Sequence, residues 1–172
     1  MILKGKTHCF GNDINTDYII SGRYKFKTLD MNELGKHVME DIDPDFARKV
    51  APGDFIVAWK NFGCGSSREQ APRALLACGI RGILAKSFAR IFFRNAINCG
   101  LVALECNTEG MESGVELEIN LTEGKIVNLQ GGNVITASPL PDIMIDILNE
   151  GGLIEYIKKY GSFQKRVSSS SR

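Results

Sequence analysis

The sequence predicts an α/β domain, and three observations carry the prediction. Short apolar runs of strand length alternate with longer stretches of helical period. Glycines follow several of the helical stretches, where a left-handed residue ends a helix. The length, 172 residues, suits one medium domain with a core of its own. Residues 1–162 are expected to form that domain, and residues 163–172, with the run "SSSSR", a flexible tail.

The elements follow in order. "ILKGKTHCF" reads as a first strand. "DFIVAW", after the turn "APG", is a short buried strand. "SREQAPRALLACG" is a helix ending at Gly79, with Pro72 near its first turn, where a missing N–H costs least. "RGILAKSF" is a further strand, "ARIFFRNAINCG" an amphipathic helix closed by Gly100, and "LVALEC" a third buried strand. "VELEINLTEGKIVNLQGGNVITA" alternates apolar and polar residues around "EGK" and "QGGN", the pattern of a β-meander. "PDIMIDILNEGGLIEYIKKYG" gives one or two terminal helices. Residues 12–50 fit neither period. So long an irregular stretch, rich in apolar and aromatic residues, points to function rather than disorder.

Composition excludes several classes. The net charge of +1 gives no field for nucleic acid or an anionic membrane. No apolar run approaches the length of a membrane span, and the N-terminus has no secretory h-region. Cys9, Cys64, Cys78, Cys99 and Cys106 form no C-x-x-C and no Cys/His ligand spacing. They are expected as reduced, mostly buried thiols of a cytoplasmic protein that binds no metal or cofactor itself.

Residues 61–75, "NFGCGSSREQAPRAL", concentrate the candidate chemistry. A strand, a Gly-rich turn and a helix start make a site for an anion, because helix-start N–H groups are unpaired. Gly63 and Gly65 let the backbone approach a ligand, and Arg68 offers a fork for a carboxylate or phosphate. Ser66 and Glu69 also make S-x-x-E, a capping box. The spacing is neither a P-loop nor G-x-S-x-G. The only histidines, His8 and His37, are distant, so a Ser-His-Asp triad would need one of them to fold back. A serine without a histidine can still act as a base if N–H groups and a cation stabilise its alkoxide.

"NFGCGSSREQAP" resembles the signature of the swivelling domain of the aconitase superfamily. "FGNDINTDYIISGRY", "AKSFARIFFRNAINCGL" and "GGLIEYIKK" resemble three further blocks of that domain, in the same order, over residues 2–160. The resemblance implies a three-layer β/β/α fold and reversible dehydration–hydration of a 2-hydroxy dicarboxylic acid. A free-standing domain of this length resembles the small-subunit branch that acts on isopropylmalate. There a separate large subunit holds a [4Fe–4S] cluster and the small subunit completes the site. By position, Ser66 matches the residue that removes and returns a proton, and Ser67 and Arg68 match residues that bind substrate carboxylate. Gly65 would supply a backbone N–H beside Ser66. Asp17 matches an aspartate that orients its partners, with the N-cap of a short helix at residues 18–20 as its alternative. Cys64 reads as structural, and Arg90 and Arg94 as structural or interface residues.

The stretch "GRYKFKTLD" is one residue longer than is usual in that branch, and its neighbourhood tunes substrate choice in the family. Lys27 turned inward would favour a second distal carboxylate, as in homoaconitate or citrate-type acids. Phe26 turned inward would favour a branched aliphatic substituent, as in isopropylmalate or 2,3-dimethylmalate. A shift of one residue in register exchanges the two. An exposed apolar patch near Tyr24, Phe26 and the Phe92–Phe93 helix is expected to meet the large subunit. A stand-alone anion-binding module is the remaining alternative.

Overall fold

A computed structural model describes residues 1–25 and 27–163. Strand β1 (Ile2–Cys9) is followed by four short helices, α1 (Thr16–Ile19), α2 (Gly22–Lys25), α3 (Met31–Gly35) and α4 (Phe46–Lys49). Then come β2 (Phe55–Ala58), α5 (Gln70–Cys78), β3 (Gly82–Ala85), α6 (Arg90–Cys99) and β4 (Val102–Glu105). The meander is β5 (Glu116–Asn120), β6 (Lys125–Asn128) and β7 (Val134–Thr136), and α7 (Asp142–Asn149) and α8 (Leu153–Tyr160) close the order.

The strands form one mixed sheet in the order β4-β3-β2-β1-β5-β6-β7. The β4-β3-β2-β1 half is parallel and the β1-β5-β6-β7 half antiparallel. The α/β class is therefore the observed one. Strands β2 and β3 are buried at every residue, as parallel strands covered on both faces must be. Strand β5 alternates instead, with Leu117 and Ile119 inward.

Strand β1 belongs to both halves. Its first residues pair with β5, from Ile2↔Asn120 to Lys6↔Glu116. Its last three pair with β2, from Thr7↔Phe55 to Cys9↔Val57. At the changeover Gly5 passes so close to the turn before β2 that a Cβ there would sit 2.2 Å from the Gly53 carbonyl oxygen. Asp54 fastens the same crossing. It accepts from the Lys6 N–H at 3.0 Å and the Ala51 N–H at 2.9 Å, and its Oδ2 lies 2.8 Å from His8 Nε2.

Residues 12–50 are a packed layer of one-turn helices. Ile19, Leu34, Val38, Met39 and Phe46 are wholly buried. Helix α3 lies against α5 because Gly35 leaves room for the backbone of Ala77 and Cys78. Helix α2 is tied down through Glu40. Tyr24 stacks on His37 with ring centroids 4.1 Å apart, and its hydroxyl donates to Glu40. Glu40 also accepts from Arg23 at 2.7 Å and lies 2.7 Å from His37 Nδ1. Burial pushes the Glu40 carboxyl up, but these three hydrogen bonds outweigh it and hold it below its usual range. Helices α5 and α6 are followed by Gly79 and Gly100, as expected.

Candidate active site

The chain leaving β2 does not begin a helix at once. The Gly63 N–H donates to the Ile14 carbonyl at 2.7 Å, and the Thr16 N–H donates to the Cys64 carbonyl at 2.9 Å. The Thr16 hydroxyl donates to the Ser66 carbonyl at 2.8 Å. These bonds hold the turn against residues 14–16, and α5 starts only at Gln70. This corrects the capping-box expectation. The cap residue of α5 is Glu69, which makes no side-chain cap bond and instead pairs with Arg73 at 2.8 Å. Ser66 lies too far ahead of the helix to cap it. Ser66 and Ser67 are exposed, and among the described residues their hydroxyls make no hydrogen bond.

Beside the turn lies a cavity of about 330 Å³. Gly65, Ser66, Ser67 and Arg68 line one side, and Arg90, Ile91 and Asn95 of α6 line the other. Gly63 makes the approach possible. A Cβ there would sit 2.1 Å from Phe92 Cγ, so only glycine lets the turn lie on α6. Phe92 is in turn held by Phe62 and Phe88, with centroids 5.3 Å and 6.5 Å away. Helix α6 starts with Ala89 as its cap residue, which offers no side-chain acceptor, and with Arg90 as its first residue. An uncapped helix start and an arginine therefore face the serines. No acidic side chain lines the cavity.

Arg68 is largely buried. It pairs with Asp17, and its NH1 donates to the Ile20 carbonyl at 2.9 Å. Its Nε is buried without a partner among the described residues. Asp17 is not a helix cap. Asn15 caps α1, accepting from the Asp17 N–H at 2.8 Å and the Tyr18 N–H at 3.0 Å, which leaves the Asp17 carboxylate for Arg68. Cys64 is half-buried, and burial and the Asp13 charge push its thiol up.

The structure thus brings Gly65, Ser66, Ser67 and Arg68 together, with Asp17 joined through Arg68. Lys27 is exposed and does not line the cavity; its Nζ lies 5.7 Å from the Tyr24 ring centroid. Phe26 lies outside the described residues, as do residues 164–172 of the expected tail. The expected apolar patch is corrected in part. Phe92 is buried and Tyr24 and Phe93 are half-buried, while Ile91 on the same helix (54% exposed), Tyr18 (44% exposed) and Leu29 (80% exposed) face outward. Sequence reasoning missed Thr16 and the first turn of α6. The signal for α6 was present: a helix whose start has no Ser, Thr, Asp or Asn cap and whose first charge is basic. A larger groove of about 970 Å³ lies among α6, α7 and α8, lined mainly by apolar side chains such as Ile97, Ile143 and Leu153.

The residues present do not fit an iron–sulfur cluster. Among the described residues no three of His, Cys, Asp and Glu stand close enough to share a metal ion. The five thiols are free, and burial pushes those of Cys78 and Cys106 up to about 11, away from the thiolate that a metal needs. No described helix is long and apolar enough to cross a membrane.

Comparison with known proteins gives the family of the chain. Residues 15–109 match the model of the aconitase C-terminal domain. A 3-isopropylmalate dehydratase small subunit 2 of Archaeoglobus fulgidus is 54% identical over 95% of this chain and 99% of its own. An isopropylmalate/citramalate isomerase small subunit of Methanocaldococcus jannaschii is 51% identical over 92% of this chain and 95% of its own. A crystal structure of 3-isopropylmalate dehydratase from Methanocaldococcus jannaschii superimposes with a TM-score of 0.89 at 48% identity, over 94% of this chain and 96% of that one. The domain match, the identity over nearly the whole of both chains and the shared fold place the chain: it belongs to the aconitase C-terminal domain family, among the small subunits of 3-isopropylmalate dehydratase.

Proposed function

We propose that this chain is the small subunit of a hydro-lyase that dehydrates and rehydrates a 2-hydroxy dicarboxylic acid, interconverting 2- and 3-isopropylmalate in leucine biosynthesis. The carrying observation is the cavity beside the turn, which joins two uncommitted serine hydroxyls to two arginines and an uncapped helix start, with no acid. Such a lining suits a dianionic substrate. Ser66 Oγ, as its alkoxide, is the base that takes the proton from the carbon next to a carboxylate while the hydroxyl leaves the adjacent carbon as water or hydroxide; the same proton returns to the unsaturated acid as the hydroxyl is added back at the other carbon. Ser67 and Arg68 bind that carboxylate, and the Gly65 N–H supports charge on Ser66. Asp17, paired to Arg68, orients the guanidinium. Phe26 and Lys27 are carried by the segment that meets the variable substituent.

The proposal includes a large partner subunit carrying a [4Fe–4S] cluster. The cavity lining holds no Asp, Glu, His or Cys to oppose the serines. Exposed Ile91 and Tyr18 suit the face this partner covers. A second substrate, citramalate, is favoured by the Methanocaldococcus jannaschii relative, whose name carries both acids.

Co-expression with a large subunit, followed by hydratase assays on isopropylmalate, citramalate and dimethylmalate, tests the proposal. Ser66→Ala is expected to lower kcat by at least about 100-fold, the usual scale of a lost general base, with the complex still assembled. Full turnover by that variant removes Ser66 from the base role. Activity of the small chain alone would overturn the need for a partner.

A further inference from the structure

We infer that Thr16 is a positioning residue for the reaction, fixing the peptide that joins Ser66 to Ser67; this rests on Ser66 being the base. Thr16 is 2% exposed and is one of the residues that line the cavity. It grips the turn twice. Its N–H donates to the Cys64 carbonyl at 2.9 Å and its hydroxyl to the Ser66 carbonyl at 2.8 Å. The two grips lie on either side of Gly65, whose φ of 90° would otherwise leave the turn free to swing.

The second grip has a chemical effect. A trans peptide is planar, so a carbonyl and the N–H that follows it point in opposite directions. Holding the Ser66 carbonyl on Thr16 therefore aims the Ser67 N–H away from Thr16. That N–H has no acceptor among the described residues and belongs to the residue next to the base. It is left as an unpaired donor whose direction the Thr16 bond sets, on the residue that follows Ser66. Without the Thr16 hydroxyl the peptide can rotate, and both the base and its neighbouring donor lose their aim. The Asn15–Cys64 bridge and the Gly63 bond to Ile14 would still hold the start of the turn, so the defect is confined to residues 66–67.

The test uses the assembled complex with its large subunit. Thr16→Val keeps the shape and removes the hydroxyl. It is expected to lower kcat about 10- to 100-fold, the cost of a misplaced reacting group, with KM within about threefold of the parent. Thr16→Ser restores kcat. Thr16→Ala, which cannot overpack the site, repeats the loss even if Thr16→Val folds poorly. If Thr16→Val and Thr16→Ala both keep kcat within about twofold while Ser66→Ala is inactive, Thr16 positions nothing and only this inference fails. If Thr16→Ser is as slow as Thr16→Val, the methyl group and not the hydroxyl matters, and the inference fails again. If Ser66→Ala is itself active, the base reading fails and takes the inference with it.

Discussion

Asp54 is 4% exposed, and a carboxylate is tolerable there only because its surroundings favour the charged form. Burial pushes its carboxyl up. The His8 ring and the N–H groups of Ala51 and Lys6 outweigh that and hold it below the usual carboxylate range. A depressed folded-state pKa adds stability above the unfolded value of about 3.9 and loses it as pH falls through the folded value. Asp54→Asn is therefore expected to destabilise the chain near neutrality by about 1–3 kcal/mol, and the gap from the parent should close as pH falls below about 4. Urea denaturation from pH 6 to pH 2.5 measures this; a gap independent of pH would show that charge on Asp54 is irrelevant. At this scale the sequence was legible in part. Ser66, Ser67 and Arg68 stood out because they follow a glycine turn ahead of a helix, a place suited to an anion. The misread cap has a physical cause: S-x-x-E spacing carries no information about Ile14 and Thr16, which hold the turn open from some 50 residues away.

Elements were more legible where burial alone defines them. The runs that became β2, β3 and β4 are apolar at nearly every position and too short for a typical helix, which suits strands covered on both faces. Helices α1 to α4 were not legible, because a helix of one turn is stabilised by what it packs on and not by its own period. The contact between the turn and α6 was invisible for the same reason, since it joins residues that share no pattern. It can be tested by contrast between two glycines. Gly63→Ala would place a methyl within 2.1 Å of Phe92, at a φ of 78°. Gly65→Ala would meet nothing nearer than 3.5 Å and has only its φ of 90° to strain it. Thermal unfolding should show Gly63→Ala losing about 3 kcal/mol or more and Gly65→Ala about 1–2 kcal/mol. Equal losses would mean that the close approach of turn and helix does not hold in solution.

For the whole molecule, the five cysteines give a readout of the native packing. All are free, and burial is the first cause of every upward shift among them. With thiols near 11, Cys78 and Cys106 hold about one part in a thousand of thiolate at pH 8. Iodoacetamide treatment of the native chain at that pH, read by mass spectrometry, should leave both unmodified long after a denatured control is fully alkylated. Rapid labelling of either would mean a looser fold than the one described. The α/β class was legible at this scale from the alternation of strand-length and helical stretches, and the family because four blocks span the chain in one order. What the variable segment contacts was not, since Phe26 and Lys27 alternate about a register that the sequence does not set.

The divided loyalty of β1 also orders events during synthesis. Its last residues can find β2 as soon as Val57 has emerged, and the parallel half can then grow through β3 and β4. Its first residues must wait for Glu116–Asn120. Until then Ile2–Lys6 is an open edge, the kind of strand that pairs with neighbouring chains. Lys4 and Lys6 lie within that waiting stretch, and their charge opposes such pairing. The same two lysines face Glu118 and Glu116 in the finished ladder, so residues that guard the nascent edge become part of the joint that closes it.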